Sequence, residues 1–203
     1  MYKVGITGGI GSGKSTVCAM LEECGIAVYN SDHRARELMA SDERLRSRLI
    51  ERFGEAVYGP EGINREYLAR RVFASAEELQ SLNSIVHPAV MEDFGRWAEQ
   101  QQGSYVVLES AILFEAKLED RVDVVISVMA PEELRVERAM QRDGASREQV
   151  VARIKAQMSD DERAQRSTYA IINIDIEELR EDVEQLHRRL CYDSKATESR
   201  YNG

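Results

Sequence analysis

Cysteine, proline and tryptophan are all scarce in this sequence, whose 203 residues include 3, 3 and 1 of them. The cysteines form no C-x-x-C pair, and their density is far below that of a disulfide-stabilised scaffold. We therefore expect free thiols and a reducing compartment. The length suits one domain, or one domain with an inserted subdomain.

Long apolar runs are absent as well. No stretch approaches the ~20 apolar residues that cross a bilayer, and glycines interrupt the first apolar run too early for a signal peptide. Basic residues are outnumbered, 27 against 36 acidic ones, which gives a net charge of −9 and disfavours sequence-independent binding to nucleic acid. We expect a cytoplasmic protein, a monomer or weak homo-oligomer, with no nucleic acid and no membrane as partners.

The pattern that is present alternates short apolar strands with helices. Residues 2–7 and 26–29 are predicted strands, and a helix is predicted between them over residues 14–24. Two strands joined through a helix imply a parallel pair. Three later apolar runs are typical of parallel strands buried on both faces: residues 105–109, 122–128 and 169–174. The expected fold class is α/β, with a parallel sheet flanked by helices.

The remaining segments are predicted to be mostly helical. Residues 31–102 form a charged stretch that we interpret as a helical insertion between two strands of the sheet. Within it, Ser75 to Glu78 has the capping-box pattern of a helix start. We expect that helix to end at His87-Pro88, because the residue before a proline is disfavoured in the α region. A last amphipathic helix is expected over residues 176–191.

A glycine-rich motif follows the first strand. Residues Gly8 to Ser15 match G-x-x-x-x-G-K-[ST] between a predicted strand and a predicted helix. Glycines let the backbone approach phosphates closely, and N–H groups at a helix N-terminus attract an anion. Lys14 is expected to reach the β- and γ-phosphates, and the Ser15 hydroxyl to complete a Mg²⁺ shell. The predicted ATP-binding residues of this loop are Gly11, Ser12, Gly13, Lys14, Ser15 and Thr16.

The phosphate-binding loop, residues 8–15, does not by itself separate kinases from switches and motors. Guanine specificity is disfavoured, because the sequence contains no N-K-x-D segment and no D-x-x-G after its second or third strand. Asp32 lies just past the second strand, where ligands bind in open α/β sheets. It is therefore a candidate catalytic base, with a helix N-cap as the alternative. Glu109, which ends a strand, is a candidate for a metal-linked role, or else for helix capping or a salt bridge.

A locally basic segment lies between the late strands. Residues 134–166 contain eight basic side chains against six acidic ones. Arginines in this part of such a sheet can form a lid that closes over the nucleotide and stabilises the transferring phosphoryl group. For most of these arginines individually, a solvated helix surface is the alternative.

Together these features resemble the dephospho-CoA kinase family over about residues 2–190. The motifs that carry the resemblance are GGIGSGKST at 8–16, Asn30-Ser31-Asp32, Gly62-Ile63-Asn64-Arg65 with Leu68 and Phe73, Ile85-Val86-His87-Pro88, Ile112-Leu113-Phe114-Glu115, Arg138 with Arg142, Gln157, and Ile171-Ile172-Asn173. The resemblance implies a P-loop nucleoside-triphosphate-hydrolase-like fold. It also implies transfer of the ATP γ-phosphoryl group to the ribose 3′-hydroxyl of dephospho-CoA, giving CoA and ADP, with ATP and Mg²⁺ as the cofactors.

The resemblance also assigns roles to individual residues. Asp32 becomes the candidate base, and Lys14 and Arg142 become the other catalytic candidates, with Arg142 in the lid. The acceptor site is expected to involve Arg65, His87 and Glu115, and Asn173 is expected near the adenine.

The implied layout is a single P-loop kinase domain in several pieces. Its core is expected over residues 1–31, 103–140 and 168–191. A helical acceptor-binding insertion is expected over residues 32–102, a helical lid over residues 141–167, and a frayed tail without apolar pattern over residues 192–203.

The chain departs from the family's usual residues at several positions, including Ala111 and Ile112, where the family usually has proline and leucine. Asn30 and Glu109 each stand where the family usually has aspartate, and Arg135 stands where glutamine is common. Two other functions stay open at this point: another P-loop small-molecule or nucleoside monophosphate kinase, and an ATP-dependent regulatory switch.

Overall fold

The computed structural model describes residues 1–201, of which residues 198–201 are described by their backbone only. In chain order the elements are β1 (Tyr2–Thr7), α1 (Lys14–Glu23), β2 (Ala27–Asn30), α2 (Ser31–Ser41), α3 (Glu43–Phe53), β3 (Tyr58–Gly59), β4 (Gly62–Ile63), α4 (Arg65–Ala74), α5 (Ala76–Glu99), β5 (Tyr105–Glu109), β6 (Val124–Met129), α6 (Glu132–Asp143), α7 (Arg147–Lys155), α8 (Asp160–Arg166), β7 (Tyr169–Ile172) and α9 (Ile176–Tyr201). Within these described residues, no helix combines the length and apolarity needed to cross a membrane.

The chain forms two compact units. The first comprises Met1–Asn30 and the chain from Ala98 onward, and the second is Ser31–Trp97. The sequence-based limits of the insertion, residues 32–102, extend beyond the second unit at its C-terminal end. The second unit ends at Trp97, inside helix α5, which continues to Glu99. Because the helical pattern is not interrupted there, the sequence does not mark this boundary.

The first unit is built on a parallel sheet. In the described chain its strand order is β2-β5-β1-β6-β7, and every pairing is parallel. This confirms the predicted α/β class. The register places Ile6 and Asn30 beside Glu109, and Thr7 beside Ser127. The carboxyl ends of four strands therefore meet at one edge, where ligands bind in open α/β folds.

The core of the first unit lies between this sheet and two helices. Val4, Ile6 and Ile126 have no exposed surface, and they belong to one buried cluster with residues of α1 and α9 such as Leu21 and Leu179. Near-continuous apolar runs are what a parallel strand needs when both of its faces are covered.

The second unit is a group of helices with a short antiparallel hairpin, β3-β4. Helix α3 begins where the Asp42 side chain accepts hydrogen bonds from two main-chain N–H groups, and it buries Leu45, Leu49 and Phe53. Helices α2 and α5 are joined by an ion pair in which Arg34 donates to the Asp93 carboxylate at 2.7 Å. A capped, amphipathic helix with charged outer faces is what a heavily charged sequence of this kind can form.

Helix α5 corrects one prediction. Its start agrees with the sequence, because the Ser75 hydroxyl accepts a hydrogen bond from the N–H of Glu78. The predicted end at His87-Pro88 is wrong, because the helix continues through Pro88 to Glu99. Proline removes one helical hydrogen bond and crowds the preceding turn. Burial of apolar residues on both sides of it, including Val86 and Phe94 at 6% and 1% exposure, offsets that cost.

The predicted frayed tail is also wrong for the part that the structure describes. Helix α9 extends to Tyr201, and Ser194 is 1% exposed. The Tyr169 hydroxyl and the Arg189 guanidinium both donate to the Asp193 carboxylate. These contacts lie in a stretch with no apolar period, so the sequence pattern carries no sign of them. The last two residues of the predicted tail lie outside the described residues.

The predicted lid segment consists of α7, α8 and their connections within the first unit. Val150 and Ile154 of α7 pack with Val136 and Ala139 of α6, and Ile10 of the phosphate-binding loop packs against this cluster. Helix α7 begins at a complete capping box between Ser146 and Gln149. The described segment is thus a packed helical layer that reaches the phosphate-binding loop.

Candidate active site

The phosphate-binding loop joins the carboxyl end of β1 to the first turn of α1. Gly11 and Gly13 have φ values of 75° and 93°, a region that side chains other than glycine rarely adopt. Gly13 is the N-cap of α1, and no side chain caps that helix start. The N–H groups of the first turn and the positive end of the helix dipole therefore face a place suited to an anion.

Close packing around the loop leaves no room for larger residues. A Cβ atom at Gly8 would lie 2.3 Å from the Val128 carbonyl oxygen, and one at Gly13 would lie 1.9 Å from Asn173 Nδ2. Both distances are far below any allowed contact. The glycines are thus required by the loop's surroundings as well as by its backbone angles.

Lys14 and Ser15 open α1. The Lys14 ammonium group donates a 2.9 Å hydrogen bond to the Gly8 carbonyl oxygen across the loop. Ser15 is exposed, and Thr16 is half-buried. A lysine held over the loop in this way brings a flexible point charge to the side where phosphates would bind.

Asn173 follows β7 and is 4% exposed. Its side-chain amide donates to the Ser12 carbonyl oxygen at 2.9 Å. Its side-chain oxygen accepts from Arg138, which also donates to the Asn173 main-chain carbonyl. This residue was predicted to lie near an adenine. In the structure its polar atoms form hydrogen bonds with Ser12 of the phosphate-binding loop and with Arg138 of α6.

Glu109 and Asn30 end neighbouring strands and are bonded to each other. The Asn30 amide donates to a Glu109 carboxylate oxygen at 2.6 Å. Burial raises the pKa of the nearby Cys18 thiol far above its ordinary value, and the Glu109 carboxylate adds to the rise while Lys14 opposes it. The Glu109 carboxylate therefore lies close enough to α1 to act electrostatically on Cys18.

Asp32 lies two residues beyond β2, in the first turn of α2. Helix α2 begins at Ser31, so Asp32 is inside the helix and is not its N-cap. Burial lowers the pKa of His87, and the Asp32 carboxylate opposes this effect electrostatically. The structure therefore brings two predicted site residues of the second unit, Asp32 and His87, into each other's electrostatic field.

The other two predicted acceptor residues, Arg65 and Glu115, belong to different units. Arg65 is exposed at the first position of α4, after Asn64, whose side chain caps that helix. Glu115 belongs to the first unit, is exposed, and raises the pKa of Arg163 electrostatically against the larger lowering caused by burial.

Arg142, the predicted lid residue, ends α6. Its guanidinium donates to the carboxylate of the adjacent Asp143 at 2.7 and 3.1 Å. Arg153 of α7 donates to the same carboxylate at 2.8 Å. These two arginines hold the pKa of Asp143 well below its ordinary range. The side chain of Arg142 is 61% exposed, so it can exchange this partner for another anion.

Two residues that the sequence did not single out as site residues contact the loop directly. Arg135 donates to the Ile10 carbonyl oxygen, and Gln157 accepts from the Ile10 N–H group, both at 2.9 Å. An arginine on a charged helix gives no sign that it is buried. The hydropathy pattern of α6 therefore could not have identified Arg135.

Comparison with known proteins places this geometry in a family. The family model for dephospho-CoA kinase matches residues 2–178. Dephospho-CoA kinases of Bacteroides fragilis and Salinibacter ruber are 45% and 42% identical to this chain, over 84% and 85% of it and 84% and 89% of their own lengths. A crystal structure from Thermus thermophilus is 37% identical and superposes with a TM-score of 0.82, covering 93% of this chain and 97% of that one. This chain belongs to the dephospho-CoA kinase family.

Proposed function

We propose that this chain transfers the γ-phosphoryl group of ATP to the ribose 3′-hydroxyl of dephospho-CoA. A bond forms between the 3′-oxygen and the γ-phosphorus while the bond from that phosphorus to the β,γ-bridging oxygen breaks, so that ADP leaves. The observation that carries the proposal is the uncapped start of α1 under a loop of tightly packed glycines, in a chain of this family. The product would be CoA, formed in the last step of its biosynthesis.

The loop would bind ATP through its main chain and through Lys14. Main-chain N–H groups between Gly11 and Thr16 would bind the phosphates, and the Lys14 ammonium would move from the Gly8 carbonyl to the β- and γ-phosphates. We assign Asn173 to the ATP site as a residue that holds the Ser12 peptide, because its amide is already bonded there. The transition state of phosphoryl transfer is loose, so such positioning supplies much of the catalysis.

Mg²⁺ fits the oxygen groups at this edge of the sheet. The exposed Ser15 hydroxyl would be a direct ligand, and the Glu109 carboxylate, oriented by Asn30, would hold a metal-bound water. When bound, the ion neutralises phosphate charge. Among the described residues, no three His, Cys, Asp or Glu side chains form a metal site of their own, so phosphate and water oxygens would complete the shell.

The acceptor side would be served by residues of the second unit, together with Glu115 of the first. Asp32 would orient the 3′-hydroxyl and accept its proton. His87, whose pKa is lowered by burial, is neutral at pH 7 and could donate or accept one hydrogen bond there. Arg65 and Glu115 would shape the remainder of the acceptor site. Arg142 would leave Asp143 to stabilise the phosphoryl charge when the lid, residues 141–167, closes.

The decisive experiment measures ATP turnover by the purified chain with four acceptor conditions: dephospho-CoA, AMP, shikimate and no acceptor. We expect ADP formation to depend on dephospho-CoA and to be lost in Lys14→Ala. Turnover with AMP or shikimate instead would indicate another small-molecule kinase. Slow hydrolysis that no acceptor stimulates would indicate a switch. Near-normal rates in Lys14→Ala would contradict the assigned role of the loop.

A further inference from the structure

The two peptide groups that flank Ile10 are each held by a distant side chain. Arg135 of α6 donates from Nε to its carbonyl oxygen, and Gln157 accepts from its N–H group, each at 2.9 Å. The partners lie 125 and 147 residues away in the sequence. Ile10 lies between glycines, which lose more conformational freedom on ordering than other residues. One bond on each side of Ile10 therefore restrains the backbone of the phosphate-binding loop between Gly9 and Gly11.

The guanidinium that makes one of these bonds is itself held in place. Arg135 donates from Nη1 to the Asp160 carboxylate at 2.5 Å, and Arg163 donates to the other oxygen of that carboxylate at 2.7 Å. The side chains of Arg135 and Arg163 are 6% and 0% exposed, and that of Asp160 is 19% exposed. Two buried cations thus share one carboxylate, and loss of that carboxylate would remove the ion-pair partner of both.

The partners of Arg135 and of Ile10 come from one short stretch of chain. Gln157 follows α7, and Asp160 begins α8. Displacement of this α7–α8 connection would therefore affect the Ile10 N–H bond directly, through Gln157, and the Ile10 carbonyl bond indirectly, through Asp160 and Arg135. The arrangement also accounts for Gly9, since a Cβ atom there would lie 2.1 Å from Arg135 Nη2.

We propose that Arg135 is a positioning residue for phosphoryl transfer, acting through the Ile10 peptide, and that Asp160 sets its position. The inference rests on the proposed ATP-dependent reaction. The atom that carries the role is Nε, which is separated from Cβ by two carbons. A glutamine at this position would place its amide nitrogen at the same point of the side chain, so it would keep the donor and lose the charge. A lysine would keep the charge and place a carbon there.

This difference gives a direct test. Arg135→Gln, Arg135→Lys and Arg135→Met are compared with the unchanged chain for kcat, for the KM of ATP and of dephospho-CoA, and for the Kd of ADP by calorimetry. Loss of the hydrogen bond is expected to raise the ATP KM and ADP Kd about five- to tenfold in the Lys and Met variants. Arg135→Gln keeps the donor but loses the bond to Asp160, so both should rise less, by about two- to threefold, with the KM of dephospho-CoA unchanged throughout. Arg188→Gln, at an exposed pair on α9, is the matched control.

The outcomes separate positioning from charge and from folding. If Arg135→Lys retained ADP affinity while Arg135→Gln lost it, charge would be the cause and the proposal would be overturned. Lower melting temperatures with unchanged ADP affinity in all three variants would show a structural role only. If Arg135→Met fails to fold, the comparison of Arg135→Gln with Arg135→Lys still distinguishes the hydrogen-bond donor from the charge. If the unchanged chain bound ADP but showed no turnover with dephospho-CoA, the proposed reaction would be contradicted. The positioning of the loop by Arg135 would still be tested by the ADP affinities of the variants.

The role of Asp160 is tested by combining variants. Asp160→Asn should weaken ADP binding in the unchanged chain, because Arg135 then loses its anchor. In the Arg135→Gln background the same change should have a smaller effect, since the guanidinium that links Asp160 to the Ile10 carbonyl is already absent. Equal effects in both backgrounds would refute the coupling.

Discussion

Three residues that differ from the family's usual ones take part in contacts at the site. Asn30 and Glu109 each replace an aspartate, and the structure bonds them to each other at 2.6 Å. Asn30 retains a donor that can orient the longer carboxylate of Glu109. Arg135 replaces a common glutamine and makes its bond to Ile10 from the nitrogen that a glutamine would also supply. Each of the three residues therefore has a hydrogen-bond partner within the first unit.

Asp32 is the residue whose role can be tested most simply. Asp32→Asn keeps the size of the side chain and removes the base, so kcat is expected to fall by ~10²–10⁴-fold while the KM of ATP stays nearly constant. The measurement is steady-state kinetics with both substrates varied. The matched control is His33→Gln, which changes an exposed neighbour that pairs with Glu37. An unchanged kcat in Asp32→Asn would remove the base assignment.

Individual site residues were predictable to different degrees. The loop residues are identified by a fixed spacing whose physical reason is local, and the strand and helix around them are where the sequence places them. The contacts of Asn173 and Arg135 join segments more than 120 residues apart. No local pattern encodes which carbonyl oxygen a distant side chain will meet, so their partners required the folded structure.

At the scale of elements, helix α1 carries glycines at both ends for different reasons. Gly13 and Gly25 have similar φ values, 93° and 80°. A Cβ atom at Gly13 would collide with Asn173, whereas Gly25 has nothing within 4 Å of that position. A side chain at either position would therefore strain the backbone, because both residues have positive φ. Only at Gly13 would it also clash with a neighbouring atom.

The pair Gly13→Ala and Gly25→Ala separates these costs. We expect Gly25→Ala to lower stability by ~1–2 kcal/mol with normal kinetics. Gly13→Ala should also displace Asn173 from the loop and weaken ADP binding more than tenfold, a loss of over ~1.4 kcal/mol. Thermal melting and calorimetry with ADP give the two quantities. Equal ADP affinities in the two variants would show that the close contact at Gly13 has no part in nucleotide binding.

Elements were predicted best where one face is buried by a regular pattern. The strand Tyr105–Glu109 and the start of α1 at Lys14 agree with the sequence. The helix through Pro88 does not, because the rule that proline ends a helix is local, whereas the burial of Val86, Val90 and Phe94 that overrides it depends on neighbouring elements. Local propensity was outweighed there by tertiary packing.

At the scale of the whole molecule, the net charge of −9 conceals a division along the chain. Residues 134–166 carry two more basic than acidic groups, and the structure shows that several of these arginines are committed to carboxylates, among them Asp143 and Asp160. The local excess therefore does not make an open basic surface. What it provides is a set of charged contacts beside the phosphate-binding loop.

Helix α9 extends past residue 191, the end that the apolar pattern predicts for it. Two truncated chains test this extension, one ending at Cys191 and one at Thr197. Ending at Cys191 removes buried Ser194 and the carboxylate of Asp193 that Tyr169 and Arg189 contact. Loss of these bonds is expected to lower the melting midpoint by roughly 3–8 °C. Ending at Thr197 keeps all of them and should melt within about 2 °C of the full chain. Equal melting of the two truncated chains would mean that residues 192–197 add no stability, which is what the absence of an apolar pattern predicts and what the burial of Ser194 argues against.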